Sequence, residues 1–279
     1  MGDHYIPRHY LNGFSIDERL YVYDLKNKMV RRGKSKSEAN VNGLWSSDLE
    51  RHLSENIEGP AQSAIEKIRQ FKGICDSEKH ALAVYLLTMW KRVPAARDRT
   101  ASHIPGLAAA HKIEYFREID AMLAEGALSS DDAVELKGTI SGTLDRLVAG
   151  SPDYYWHHTL KEGATPRMMQ ALRAMDWTFL VTNSDPYITC DDPVFFFREI
   201  GVGRSNSELS IPLSSSVTLL AHRSGRYSGK FRDARKGMVV QLNRRTAYNA
   251  RRFIYSDHLT PWVLKLGLRK TFPNFLILK

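Results

Sequence analysis

An α+β fold is expected for this chain of 279 residues, from three changes of pattern along its length. Residues 19–32 alternate in the manner of a half-buried strand pair. Residues from about 47 to 175 repeat apolar side chains every three or four positions. After Asp176 the chain breaks into short apolar runs separated by Gly, Pro, Asn, Asp and Ser. The simplest arrangement joins an N-terminal β-hairpin to a C-terminal mixed or antiparallel sheet, with a large helical block inserted between them. Residues 1–279 are read as a single integrated domain, with a sheet-containing part at 1–46 plus 177–279 and a helical insertion at 47–176.

Taken in order, Leu20, Val22 and Asp24 face one way and Tyr21, Tyr23 and Leu25 the other, with Lys26-Asn27-Lys28 as the hairpin turn. Ser47-Asp48 can cap a helix carrying Leu49, Leu53, Ile57, Ala61, Ile65 and Ile68. Ser77 can cap the next, which is apolar nearly all round from Ala81 to Trp90 and should be buried, and Pro94 should kink or end it. Helical patterns follow near 105–125 and 130–149. Ser151-Pro152 and Thr165-Pro166 mark two more starts, each with a capping side chain before a first-turn proline. Strands are expected at Trp177–Thr182, Tyr187–Thr189, Val194–Phe197, Leu209–Leu213, Val217–Ala221 and Met238–Leu242. A helix over Arg244–Tyr255 and a shorter one near 260–269 close the chain.

Composition narrows the class. Hydrophobic residues at 43% and charged residues at 25% describe a globular protein rather than a disordered or fibrous one. The apolar run Ala81–Trp90 is half the length of about 20 residues that a membrane span needs. The opening Met-Gly-Asp-His-Tyr has no apolar signal core, and Ile6 stands where myristoylation requires Ser or Thr. Two cysteines, Cys75 and Cys190, make neither a disulfide framework nor a four-cysteine zinc site, so a reducing cytoplasm is expected.

The net charge of +9 is unevenly placed. Residues 201–279 hold 15 Lys and Arg against Glu208, Asp233 and Asp257, a local balance of +12, which leaves −3 on the rest. A concentrated excess of this kind suits a polyanion, most often nucleic acid. Its densest part is Arg223, Arg226, Lys230, Arg232, Arg235 and Lys236, followed by Arg244, Arg245, Tyr248, Arg251 and Arg252. On a helix after Asn243, Ala247 and Ala250 would face inward while these arginines fan outward around Tyr248, a platform for phosphates and bases.

Other segments carry chemistry-bearing side chains. His4 to Leu11 places His4 and Arg8 on a segment ordered by Pro7; a histidine exchanges protons near neutral pH and an arginine holds phosphate or carboxylate. Glu50 and Glu58 fall roughly 80° apart on a regular helix. Arg92, emerging from an apolar helix, must find a partner, because an unpaired buried charge is costly. In Ile188 to Val194, Asp191 and Asp192 point to opposite faces of a strand, and the acid-x-Lys pattern of metal nucleases is not completed. Asn243 on the inward side needs a partner, a structural hydrogen bond being the simplest. There is no phosphate-binding glycine loop, HExxH, CxxC or GxSxG, so no metal or cofactor is expected.

These segments together resemble a large bacterial family of a domain of unknown function, one that opens with a His-Tyr-x-Pro-x-x-Tyr-Leu signature. Here that signature is His4 to Leu11, followed by Phe14-Ser15 and Leu20-Tyr21-Val22-Tyr23. Further matches are Leu49-Glu50 through Ile57-Glu58, Arg92-Val93-Pro94 with Arg97, Thr189 to Val194, Ile211 to Ser214, and Leu242-Asn243 with Tyr255-Ser256. Cys190 stands where the pattern usually has Ser. The resemblance implies a shared fold and nominates a site without supplying an activity.

If the segments converge, the polar set is His4, Arg8, Glu58, Arg92, Asp191 and Asn243. The leading expectation is a cytoplasmic metal-independent nuclease acting on RNA, of toxin or antiviral-defence type. In it His4 is the general acid/base, Arg8 and Arg92 stabilise phosphate charge and Asp191 orients His4 or an arginine. RNA is preferred because its 2′-hydroxyl makes metal-free cleavage easier. The alternative is a non-catalytic nucleic-acid-binding or regulatory module in which the polar set is structural. A third reading is a small-anion or nucleotide sensor.

Overall fold

The computed structural model describes residues 2–225 and 230–276, apart from the side chain of Lys230. In chain order its elements are β1 (Asp3–His4), α1 (Arg8–Leu11), β2 (Arg19–Asp24), β3 (Met29–Lys34), β4 (Asn40–Val41), α2 (Ser47–His52), α3 (Gly59–Arg69) and α4 (Asp76–Arg92). Four more helices follow: α5 (Pro94–Ala124), α6 (Ser130–Ala149), α7 (Pro152–Lys161) and α8 (Pro166–Arg173). The C-terminal part contains β5 (Asp176–Val181), β6 (Thr189–Cys190), β7 (Phe195–Phe196), β8 (Leu209–Pro212), β9 (Val217–His222), β10 (Lys230–Asp233), α9 (Lys236–Asn249), β11 (Phe253–Ser256) and α10 (Pro261–Arg269). The fold is α+β. No described helix is long and apolar enough to cross a membrane.

Two compact units divide the chain: Met1–Val93 with Glu162–Lys279, and Pro94–Lys161. Helices α2 to α4 and α8 fall in the first with all the strands, and α5 to α7 make the second. The break falls where chain chemistry puts it. Val93 is held extended at ψ 150° by the following proline, so α4 ends at Arg92 and Pro94 starts a new helix. Within the second unit, Trp156, Leu160 and Ile119 are buried, and Lys137 pairs with Asp120 at 2.6 Å between α6 and α5.

In the first unit, the hairpin β2–β3 is closed by Asp24, whose Oδ1 accepts from the amides of Lys26 (3.0 Å) and Asn27 (3.1 Å). It joins the C-terminal strands as expected: an antiparallel sheet runs β3-β2-β11-β6. The second sheet, β10-β5-β9-β8-β7, is mixed, because β10 lies parallel to β5. Tyr10 ties the two together. Fully buried, its hydroxyl donates to the Pro212 carbonyl of β8 at 2.7 Å and lies 2.9 Å from the Thr189 hydroxyl of β6. Helix α9 packs on both sheets, placing Val239 and Leu242 against Leu180 and Leu220 of one and Ala247 against Ile254 and Cys190 of the other. Gly267 lets α10 lie close on this layer, since a Cβ there would come within 2.6 Å of Leu25.

Several local expectations are corrected. Met238–Leu242 is the start of α9 rather than a strand, because Val239, Leu242, Asn243 and Thr246 bury one helical face. Helix α9 stops at Asn249, not near Tyr255; Phe253–Ser256 is strand β11. The Asp191 carboxylate enforces this stop by accepting from the amides of Arg251 (2.8 Å), Arg252 (2.7 Å) and Phe253 (3.0 Å). The caps of α2 and α4 are Ser46 and Cys75, each upstream of the serine expected. Strands β1, β4 and β10 and helix α1 lie outside the expected elements.

Arg245, placed by sequence on an outward fan, is instead wholly buried, ion-paired with buried Glu208 and stacked near the rings of Phe195 and Phe197. Glu208 also accepts from the Leu276 amide at 2.9 Å, and Arg245 donates to the Asn274 carbonyl at 3.0 Å, so the pair staples the C-terminal segment. Removing one partner strands a buried charge. Arg245→Met is expected to cost about 3–5 kcal/mol in chemical denaturation, and the double variant with Glu208→Leu to recover most of that loss; equal losses in both would refute the pairing.

Candidate functional site

The expected convergence is partial. Arg92, at the end of α4, donates to the Glu58 carboxylate and to the backbone carbonyl of His4, so these three meet. His9 joins them, its Nδ1 3.6 Å from Glu58 Oε2 and its ring 5.6 Å from that of Tyr85. Sequence reasoning nominated His4 and passed over His9, although both lie in the same signature. The wide π turn Leu53–Glu58 between α2 and α3 carries Glu58. It spoils the regular 100° spacing from Glu50, yet both carboxylates act on Arg92. Trp45 lies under the same guanidinium at 5.9 Å, on a loop held by Asp3, whose Oδ2 accepts from the Leu44 amide at 2.7 Å.

The other nominated residues are elsewhere. Arg8 makes a solvent-exposed pair with Glu18. Asp191 stands beside Tyr5 and Tyr255, and is occupied by its three amide donors. Asn243 donates to the Pro186 carbonyl at 3.0 Å and accepts from the Ile188 amide at 3.1 Å, the structural bond expected of it. The buried Cys190 thiol is pushed far up by its apolar surroundings, which makes it core and not a nucleophile.

Burial governs the protonation of the N-terminal network. It drives His9 down to about 4, with Glu58 opposing, so the imidazole is neutral at pH 7. His4 is lowered for the same reason; its Nε2 lies 3.1 Å from the Lys36 carbonyl. Glu50 is raised by burial, and the Tyr85 hydroxyl is raised far above its ordinary value. Three buried polar atoms here, His9 Nε2, Tyr85 Oη and Arg92 Nε, have no hydrogen-bond partner among the described residues. No described cluster of three or more His, Cys, Asp or Glu side chains is placed to hold a metal ion.

The basic region forms a second candidate. Arg226 lies outside the described residues, as does the side chain of Lys230. Arg223 donates to the Ala171 carbonyl at 3.0 Å, and exposed Arg252 pairs with Asp24 at 3.0 Å. Arg232 and Arg235 are exposed. Lys236 and Arg244 line a cavity of about 480 Å³ with Lys265, Arg269, Trp262 and Asp185. Tyr248 and Arg251 line another of about 510 Å³ with Arg198, Lys270, Glu199 and a group of phenylalanines. Both open along α9, and adjacent residues Arg269 and Lys270 serve one each. Among the described residues they hold seven cations against two carboxylates, a signal that net charge announced and only the packing of α9 and α10 could place.

The sign of the His9 shift gives a stability test. An unfolded His9 takes up its proton near 6.5 and the folded one near 4, so between those values the unfolded chain binds more protons and stability falls as pH drops. His222 is shifted the same way, whereas Asp191, raised by burial to about 6, makes the folded state gain stability as pH falls. His9→Gln should remove up to about 3 kcal/mol of the stability difference between pH 7 and pH 4, read by urea denaturation at both. An unchanged difference would show that His9 titrates normally.

A family model described as a protein of unknown function (DUF4238) matches residues 3–258. No curated protein and no solved structure matches the chain.

Proposed function

The chain belongs to the DUF4238 family, whose description assigns no activity, and from its own residues we propose that it is a nucleic-acid-binding protein whose binding track follows α9 and α10. The observation that carries this reading is the lining of the two cavities, where seven cations face two carboxylates and aromatic side chains stand between them. Cations release condensed counterions from a phosphate backbone, and aromatic faces accept bases irrespective of sequence. Helix α9 rises about 1.5 Å per residue, so its length matches several phosphates of one strand. The unpaired thiols, Cys75 exposed and Cys190 buried, suit the reducing cytoplasm in which such a partner is met.

The nominated catalytic set favours this non-catalytic reading. Arg92, Asp191 and Asn243 direct their polar atoms to backbone or to Glu58, which is how a buried network pins a segment. A metal-independent ribonuclease, of toxin or antiviral-defence type, is the second reading. It is favoured by the three unpartnered polar atoms around the π turn and by a neutral His9 backed by Glu58, the arrangement of a general base. In that mechanism His9, rather than His4, takes the proton of the 2′-hydroxyl, and Arg92 holds Glu58 in place.

Fluorescence anisotropy with single-stranded RNA and DNA between 50 and 200 mM salt separates the readings. Binding should weaken steeply with salt, and Arg244→Gln and Arg269→Gln should each lower the log–log slope by about one. Salt-independent or absent binding would overturn the proposal. Incubating the same RNA in EDTA tests the second reading: cleavage that His9→Gln cuts by about 10²–10⁴-fold, with His4→Ala alongside, would establish it.

A further inference from the structure

The cavity at the C-terminal end of α9 has a chemistry that its charge alone does not explain. Phe197 stacks on Phe275 with ring centroids 3.8 Å apart, and Phe195 meets Phe197 edge-on at 5.1 Å. Tyr248 meets Phe272 at 5.4 Å with planes at 84°. Phe195 and Phe197 are buried, but the outer rings are not. Phe272 leaves 64% of its surface in water, and Tyr248 37%. Such exposure of paired aromatics beside a pocket marks a recognition surface.

The polar lining is equally directed. Arg198 and Arg251 are exposed and make no side-chain hydrogen bond or ion pair among the described residues. Lys270 is partly engaged, donating to the Ala250 carbonyl at the end of α9. Glu199 is the one carboxylate in the lining among the described residues. The backbone beneath is fixed: the Arg251 amide is held by Asp191, and Asn249 donates to the Val194 carbonyl at 2.9 Å. The volume of about 510 Å³ is that of a small-ligand site.

From this we propose that the cavity is a subsite for one nucleotide unit. The base stacks on the exposed face of Phe272 and meets Tyr248 edge-on, and the phosphate is held by Arg251 and Arg198. The unit is either a free mononucleotide or one residue of a bound strand. Only the second source rests on the nucleic-acid reading above.

Calorimetric titration of the full chain with AMP, adenosine, inorganic phosphate and a ten-residue oligoadenylate tests it, using Phe272→Ala and Arg251→Gln, both exposed side chains. AMP should bind tighter than phosphate or adenosine. Phe272→Ala should weaken both AMP and adenosine at least tenfold, and Arg251→Gln AMP alone. Competition between AMP and the oligonucleotide identifies a strand residue; AMP binding without competition identifies a free nucleotide. AMP no tighter than phosphate, or unchanged in both variants, overturns the subsite. Oligonucleotide binding in that case leaves the α9 track standing, whereas AMP binding without oligonucleotide binding removes the track and keeps the subsite.

Discussion

Three backbone carbonyls near the N-terminus set the terms for the rest of the first unit. His4, His9 and Tyr10 lie in or beside a helix of four residues, too short to satisfy its own acceptors, in a segment where Tyr5, Ile6, Tyr10 and Leu11 are buried. Two arginines answer them. Arg92 reaches the His4 carbonyl. Arg69 reaches those of His9 (3.1 Å) and Tyr10 (3.0 Å), with its Nε on the Leu213 carbonyl at 2.9 Å. Gly13 leaves the space: a Cβ there would come within 2.4 Å of the Arg69 guanidinium. With the segment held, Tyr10 can span from β6 to β8 and tie one sheet to the other.

That constraint also decides how the conspicuous polar residues are read. A guanidinium buried at the end of α4 needs a carboxylate, and Glu58 supplies it. Once both are committed, neither is free to take phosphate charge, and the same holds for Asp191 at the end of α9. The atoms left over, on His9, Tyr85 and Arg92, belong to the same network and not to a separate constellation. A catalytic role would have to coexist with the stapling role in the same few side chains.

Much of the architecture was legible because it depends on local rules. Asp24 and Lys28 specify the hairpin turn, Val93-Pro94 the helix break, and Thr165-Pro166 a helix start. The failures fall where the local pattern is short or absent. Met238 to Leu242 is five residues of apolar sequence that fits a strand or a buried helix equally, and strand β10 has no apolar alternation to announce it. Around the site, the sequence offered His4 and Arg92 as residues but not the contact between them. That contact is a backbone carbonyl, which no side-chain motif encodes.

Helix α9 shows how the same geometry yields both core and surface. Taking Ala247 as the inward direction suggests a narrow buried stripe, with Arg245 about 160° away in solvent. The buried positions, however, run from Ala247 through Asn243, Val239, Thr246 and Leu242 to Arg245, an arc of about 200°, because the helix has a sheet on either side. An arginine at the far edge of such an arc must be paired, which is why Glu208 lies opposite it. The arc left open is correspondingly small and carries Val240, Arg244 and Tyr248, together with Lys236 at the first turn. A helix whose inner side is fixed by two sheets cannot rotate to hide these groups. The protein therefore holds a cation–aromatic edge in a rigid setting, and rigidity is what lets long charged side chains bind a ligand without first losing the entropy of ordering their backbone.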